Sequence, residues 1–405
     1  MTVSPAISDA TVSRETRESP ADRGPAQATR RVLHLISSLE MGGAPRYLAE
    51  LASRQVAGDA IDPVVVVMDD GVNAFHRPVG IEPIFLDGHY RTADLLGLRR
   101  LAHRVRHLLD EHEADVLHTH LPPADLVGSL AAAGRVPHVA HLQGTPPWLA
   151  SSSLRNRLRR GLTRWAFRRS RGRFAAVSSS VRDFYAEHLG LAREHMQVLF
   201  NSVEPGDLQA IPLPHEHDGP LTLGLAGRLV EEKGFDRLIA ALPGLEAAGH
   251  DVQLLIAGTG GRESSWREEA ERLGVSERIT WLGNVREMRS FYEAIDVFVL
   301  PSLHSEGLPL VLLEAMTAGR AIIATDTAGV RDAVVEGHSG VLVPPDDSDA
   351  LAAAVATLTN ETGRRVELAA AARERVLRDF APATLDARLQ QIYDEATAAF
   401  AGEPS

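Results

Sequence analysis

The sequence predicts an α/β protein of two doubly wound parallel-sheet domains facing a cleft, and three observations carry that prediction. Short β-rich runs alternate with helical ones along nearly all of the chain beyond residue 29, the rhythm of strands joined by crossover helices. A Pro-rich interruption divides the alternation into two series. Residues suited to holding ligands fall just after strands, where open sheets of this kind bind them.

The elements follow in order. Residues 1–29 are polar and Pro-rich and lack the apolar core of a secretory signal, so a disordered tail is expected there. Residues 30–203 form the first domain, with strands in "RVLHLIS", "DPVVVVM", "PIFL", "ADVLHTH", "HVAHLQ", "RFAAVS" and "QVLF" and helical segments such as "PRYLAELASR" and "LLGLRRLAHRVRHLLDEH" between them. Residues 204–219, "EPGDLQAIPLPHEHDG", carry three prolines and no periodic apolar face, and read as a linker. Residues 220–380 form the second domain, with strands in "LTLGLAG", "VQLLIAG", "ITWLG", "DVFVLPS", "AIIATD" and "GVLVPP". Residues 381–405 are expected to form a helix returning toward the first domain.

Composition bounds the function. At 405 residues, 44% hydrophobic and 24% charged, the chain is too long for one comfortable core. It has no cysteine, which removes disulfides and thiolate-bound metals and fits a reducing compartment. A net charge of −12 argues against nucleic acid as a partner and requires any anionic ligand to be held by locally placed cations. No run approaches the ~20 apolar residues that a bilayer-spanning helix needs, so the expected location is cytoplasmic.

The stretch "HSEGLPLVLLEAM" concentrates the chemistry. Pro309 suits the first turn of a helix and Gly319 its stop. The backbone from Gly307 through Leu308 and Pro309 to Leu310 then offers N–H groups and the positive end of the helix dipole to an anion, and Gly307 allows close approach. Glu306 precedes that terminus and Glu314 lies about two turns in. The pair fits a ligand with a central diphosphate and hydroxylated rings at both ends, since carboxylates accept from hydroxyls. A helix cap and a solvated helix position is the alternative reading.

A second constellation, "GLAGRLVEEKGFDRLIAAL", sets Gly227, Arg228, Lys233 and Gly234 between the first strand and first helix of the second domain. In an acidic protein two cations in such a turn suggest a recruited diphosphate, Arg228 as a planar fork and Lys233 as a mobile charge. "DDSDA" has the D-x-D spacing of a metal motif, but it precedes "LAAAVATL" and reads as a helix N-cap. No metal is expected. "GTGG" lacks the full dinucleotide fingerprint, and tight-turn geometry suffices for it.

The segments "GRLVEEKG", "IAGTGG", "WLGNV", "PSLHSEGLPLVLLEAMTAGRAIIATD" and "AGVRDAVVEGHSGVLVPPDD" occur in the order found in retaining glycosyltransferases of family 4, and the resemblance covers nearly the whole chain beyond the tail. It implies the GT-B fold of two Rossmann-like domains. It implies that Arg228 and Lys233 neutralise the departing nucleoside diphosphate in place of a metal ion, that Glu306 contacts donor-sugar hydroxyls, that Glu314 binds the ribose, and that "ITWLGNV" lies along the nucleobase. No cofactor is implied beyond a nucleoside-diphosphate sugar as co-substrate.

In the first domain, Gly42 and Gly43 stand between the first strand and a helix, where the matching glycines of the family approach the donor phosphates or the acceptor; a flexible turn is the plainer reading. His118 and His120 end the strand "DVLHTH", and His120 is placed to donate to a sugar or phosphate oxygen. Gln143 departs from the family, whose members often have histidine there; glutamine still bonds a sugar hydroxyl but moves no proton.

Nine arginines and no acid lie between Leu154 and Phe174, with Leu154, Leu158, Leu162 and Trp165 at helical spacing. Either that stripe packs on the sheet beneath solvated arginines, or the 154–174 basic helix meets a membrane surface as a peripheral anchor. The expected activity is metal-independent, retaining transfer of a sugar from a nucleoside-diphosphate sugar to a hydroxyl acceptor, a lipid-linked glycan or glycolipid in cell-surface polysaccharide synthesis. A GT-B-like sugar-nucleotide epimerase and a non-catalytic nucleotide-sugar-binding protein are the alternatives.

Overall fold

The structure is a computed structural model that describes residues 29–72, 74–86, 95–217, 219–304 and 306–402. Apart from Thr29, the segment read as a disordered tail lies outside the described residues.

The first sheet contains β1 (Arg30–Ile36), β2 (Ile61–Val67), β3 (Ile84–Phe85), β4 (Val116–His120), β5 (His138–Leu142), β6 (Arg173–Ala176) and β7 (Met196–Val198) in the order β3-β2-β1-β4-β5-β6-β7, all parallel. The second contains β8 (Leu221–Ala226), β9 (Val252–Ala257), β10 (Ile279–Gly283), β11 (Val297–Leu300), β12 (Ala321–Thr325) and β13 (Val341–Val343) in the order β10-β9-β8-β11-β12-β13, also parallel. Each strand overlaps one of the β-rich runs read from the sequence. β4 and β5 are buried along their whole length although they carry His118, His120, His138 and His141.

In both sheets the winding reverses beside the first strand, between β1 and β4 and between β8 and β11. Reversal opens a crevice at the carboxyl ends of those strands. The glycine pair 42–43 follows β1, His120 ends β4, Arg228 follows β8, and the Glu306 loop follows β11.

The helix Pro382–Ala401 crosses back to the first domain. Its Leu385, Leu389, Ile392 and Tyr393 pack with Val32, Val116, Val139 and Ala175 of the first sheet, and Arg54 holds Asp386 through two bonds of 2.9 and 3.0 Å. One apolar cluster spans both domains, joining Leu142, Val177 and Val181 to Leu308, Leu310 and Leu312. Ser179 seals the same contact, its backbone N–H and its hydroxyl both donating to the Asp332 carboxylate at 2.8 Å.

The basic helix requires a correction. It runs Leu154–Ser170, but its buried face is Thr163, Ala166, Phe167 and Ser170. Leu154, Leu158 and Trp165 are 71%, 68% and 53% exposed, and of the predicted stripe Leu162 alone packs on the core, against the cluster that holds Leu33, Leu35 and Leu117 of the sheet. Ala166 joins the apolar cluster of the neighbouring helix Pro122–Ala132 and Phe167 packs on Phe174, their ring centroids 5.1 Å apart, while Leu154, Leu158 and Trp165 are left facing outward. Asp347 caps the helix Ser348–Asn360, accepting from the Ala350 N–H at 2.9 Å, as the N-cap reading of "DDSDA" has it.

Candidate active site

The chain leaves β8 through Gly227 and Arg228, makes a single 3-10 turn at Glu231–Lys233, and enters the helix Phe235–Ala247 through Gly234. Gly234 has φ +64°, and a Cβ on it would sit 2.2 Å from the Pro301 carbonyl. Only glycine fits there, because the left-handed backbone and the contact are both closed to a side chain. The Leu303 N–H donates to the Glu232 carbonyl at 2.9 Å, which ties this turn to the loop after β11. Lys233 therefore reaches Glu306, and its Nζ donates to Oε2 at 2.5 Å. Ser302 donates to the other oxygen of Glu306. Both members of the pair are partly buried, at 16% and 21% exposure. Arg228 is exposed at the end of β8.

The helix after β11 runs Leu310–Thr317 with Pro309 as its N-cap, one residue later than the sequence reading placed its start. Glu314 lies in its second turn with 1% exposure, accepting from the Tyr292 hydroxyl at 2.8 Å and ion-paired to Arg46 of the first domain. Burial pushes the Glu314 carboxyl upward, opposed by the Arg46 guanidinium and then by the Tyr292 hydroxyl. The Glu314 carboxylate is thus held by a cation from the opposite domain.

The two domains meet around this helix. A Cβ on Gly43 would lie 3.8 Å from Leu310, and one on Gly307 would lie 2.8 Å from the Gln143 carbonyl. The close approach that Gly307 permits is therefore to the strand end of the first domain. Asn201 donates to the Leu308 carbonyl at 3.1 Å. Gly42, Gly43, Gln143, Glu306 to Leu310, Glu314 and Lys233 all gather at this meeting of strand ends, with Gly227 and Arg228 at its edge. "GTGG" follows β9 and carries no ligand geometry of its own: Thr259 accepts from the Leu229 N–H at 2.9 Å and so braces the Arg228 turn.

His120 is placed differently from the sequence reading, which had it donating into the cleft. Its ring is fully buried and lies among His34, His118 and His141. Parallel pairing sets His34 opposite His118 and His120 opposite His141, and residues two apart on β4 share a face. His120 touches Gln143, whose amide nitrogen lies 3.0 Å from its Nδ1. The sequence reading missed His34, Arg46 and Tyr292. The i, i+2 histidines of "HTH" were the signal for the cluster, but strand register was needed to add His34.

The buried imidazoles make stability pH-dependent. Burial lowers His34 to about 4 and His138 and His141 to about 3, from an ordinary 6.5. His118 and His120 are also held well below it, by burial first and neighbouring imidazoles second. The unfolded chain takes up protons near its ordinary value while the folded one does not. Stability is therefore full above that value and lost as pH falls toward the folded values, by up to ~1.4 kcal/mol per pH unit per histidine. Urea midpoints measured at pH 8.5, 7.5, 6 and 5 should stay level across the first two and drop steeply across the last two; a flat profile to pH 5 contradicts the neutral cluster.

Comparison with known proteins adds an independent line. Residues 212–375 match the family described as Glycosyl transferases group 1, and residues 41–207 match Glycosyltransferase Family 4. A phosphatidyl-myo-inositol mannosyltransferase of Mycolicibacterium smegmatis is 32% identical over 303 residues, 73% of this chain and 75% of that protein. A glycogen synthase of Mycobacterium tuberculosis is 30% identical over 285 residues, covering 69% and 68%. Among solved structures, HepE of Anabaena in complex with UDP superposes with a TM-score of 0.74 at 21% identity, over 90% of this chain and 100% of that one. Sucrose-phosphate synthase of Thermosynechococcus elongatus gives 0.74 at 20%, over 91% and 100%. These structural likenesses show the two-domain fold.

Proposed function

The chain belongs to glycosyltransferase family 4, the glycosyl transferases group 1, and from that premise we propose that it transfers a hexose, with retention and without a metal ion, from a nucleoside-diphosphate sugar to a lipid-linked hydroxyl acceptor. The observation that carries the reading is the Lys233–Glu306 pair at 2.5 Å, set beside the start of the Leu310–Thr317 helix. In the structure the cation and the carboxylate neutralise each other. On binding, each exchanges its partner for one half of the donor: Lys233, with Arg228, takes the diphosphate, and Glu306 takes sugar hydroxyls. The transition state resembles an oxocarbenium ion with charge growing on the leaving diphosphate, where fixed cations and helix dipole are most effective. The leaving phosphate removes the acceptor proton on the same face of the sugar.

Thermal denaturation with UDP-glucose, UDP-galactose, UDP-N-acetylglucosamine and GDP-mannose tests the donor class, since a ligand of the native state raises stability by mass action. One donor should raise the midpoint by several degrees and, with an acceptor extract, be consumed. Failure of all four, or consumption without any acceptor product, overturns the reading.

The lipid acceptor is supported by the basic helix. Leu154, Leu158 and Trp165 project from Leu154–Ser170 among exposed Arg155, Arg157, Arg164, Arg168 and Arg169. That is the composition of a surface that settles into the headgroup region of an anionic bilayer. The helix is joined to the strand end that carries Gln143: Arg159 lies 3.9 Å over the Trp148 ring. Among the described residues no helix is long and apolar enough to cross a membrane. Vesicles containing phosphatidylglycerol should bind the protein and shift Trp165 emission to the blue, with loss in high salt and in Leu158→Ser; equal binding to pure phosphatidylcholine, or none to either, overturns the assignment.

A further inference from the structure

The mechanism uses none of the buried histidines, yet three polar contacts run in line through them to the site. Gln55 Oε1 lies 2.8 Å from His34 Nε2, His34 Nδ1 lies 3.2 Å from His120 Nε2, and His120 Nδ1 lies 3.0 Å from Gln143 Nε2. His34 and His120 are 0% exposed and Gln55 is 8% exposed. Burial keeps both rings neutral, and a neutral imidazole carries one N–H and one lone pair.

That rule fixes a direction. The Gln55 carbonyl accepts, so His34 carries its proton on Nε2 and offers a lone pair at Nδ1. His120 must then donate from Nε2, and its Nδ1 accepts from the Gln143 amide. The amides at the two ends, on different elements, agree on this one polarity; reversing it requires turning both amides and both tautomers together. Tyr393 of the C-terminal helix packs on the same cluster, its hydroxyl 2.8 Å from His118 Nδ1, so the far side of the line is covered by that helix. At the near end, Gln143 Oε1 is buried without a partner, on the strand end whose carbonyl adjoins Gly307.

We propose that Gln55 and His34, acting through His120, are positioning residues that hold the Gln143 side chain with its carbonyl oxygen turned to accept a donor-sugar hydroxyl. The proposal rests on the sugar-nucleotide reading of the site. It makes Gln143 a fixed acceptor, selective for a hydroxyl that donates toward it. His34, His118 and His120 offer ring nitrogens within 4.8 Å of one another, but a cation bound there would break the His34–His120 contact that the relay uses.

The test compares affinities of UDP-glucose against UDP, and of GDP-mannose against GDP, by calorimetry. For the pair that binds, Gln55→Leu and Gln143→Leu should each weaken the sugar nucleotide by about 5- to 10-fold and leave the bare diphosphate unchanged within about twofold. The double variant should be no weaker than either single one, because both remove the same contact. Gln55→Glu, which keeps an acceptor for His34, should restore binding. Additive losses, or equal losses for the bare diphosphate, overturn the relay while leaving the function standing; absence of binding to wild type by any of the four probes overturns both. Should Gln55→Leu not fold, nitrogen-15 NMR of labelled histidines decides on the wild-type protein: protons on Nε2 of His34 and His120 are expected, and protons on Nδ1 of both reverse the polarity and end the proposal.

Discussion

Replacing Lys233 with alanine is expected to lower kcat by about 10²- to 10³-fold, the loss that follows removal of one fixed donor from developing negative charge. Lys233 sits on a 3-10 turn at the mouth of the site, and its ammonium bonds Glu306. The fold does not depend on it, and the stability change should stay within about 1 kcal/mol because both partners are in reach of solvent. Glu306→Gln separates the two halves of the same idea. It frees Lys233, so a bare nucleoside diphosphate should bind at least as well as to wild type, while turnover falls because sugar hydroxyls lose a charged acceptor. Steady-state kinetics and diphosphate titration check both; near-normal turnover in Lys233→Ala contradicts the assigned role.

Glu314→Gln is expected to act on binding rather than on the chemical step, raising KM for the sugar nucleotide by about 10- to 100-fold with a much smaller change in kcat. A hydrogen bond to a charged group contributes roughly 1.5–3 kcal/mol, and the ribose feels it equally in ground and transition states. The amide keeps an acceptor for the Tyr292 hydroxyl, 2.8 Å away in the native protein, but gives up the ion pair with Arg46. Since Arg46 is 35% exposed and also bonds Glu50 at 2.8 Å, it can turn to solvent, and unfolding free energy should fall by only about 1 kcal/mol. Arg46→Gln supplies the converse: if Arg46 competes with the ribose for Glu314, nucleotide affinity should rise in that variant. A fall in kcat with unchanged KM in Glu314→Gln assigns Glu314 to the chemistry instead of the ribose.

The two domains were legible because strand-forming runs and their crossover helices are local patterns, set by side-chain periodicity over a few residues. β8 and β11, with the turns after them, place Arg228, Lys233 and Glu306 at strand ends in any doubly wound sheet. The basic helix was legible as a helix but not as a surface. Leu154, Leu158 and Trp165 have the spacing of a packed stripe, and only the tertiary neighbours, the Pro122–Ala132 helix beside Ala166 and Phe174 beside Phe167, select the inner face. His120 failed similarly. Its strand was clear, but whether the ring faced the cleft or the core depended on what covered that face, and the residues against it, His34 and Tyr47, lie on a neighbouring strand and on the helix Gly43–Ala57.

By itself the sequence determined the fold class, the division of the chain and the residues that carry charge and hydrogen-bonding capacity to the strand ends, because each is encoded over short range. Tertiary structure alone decided their pairings: Lys233 with Glu306, Arg46 with Glu314 across the domains, and Gln55 with Gln143 through two histidines. Those contacts join residues dozens to hundreds of positions apart. Their energies depend on distance and burial, which no local pattern specifies.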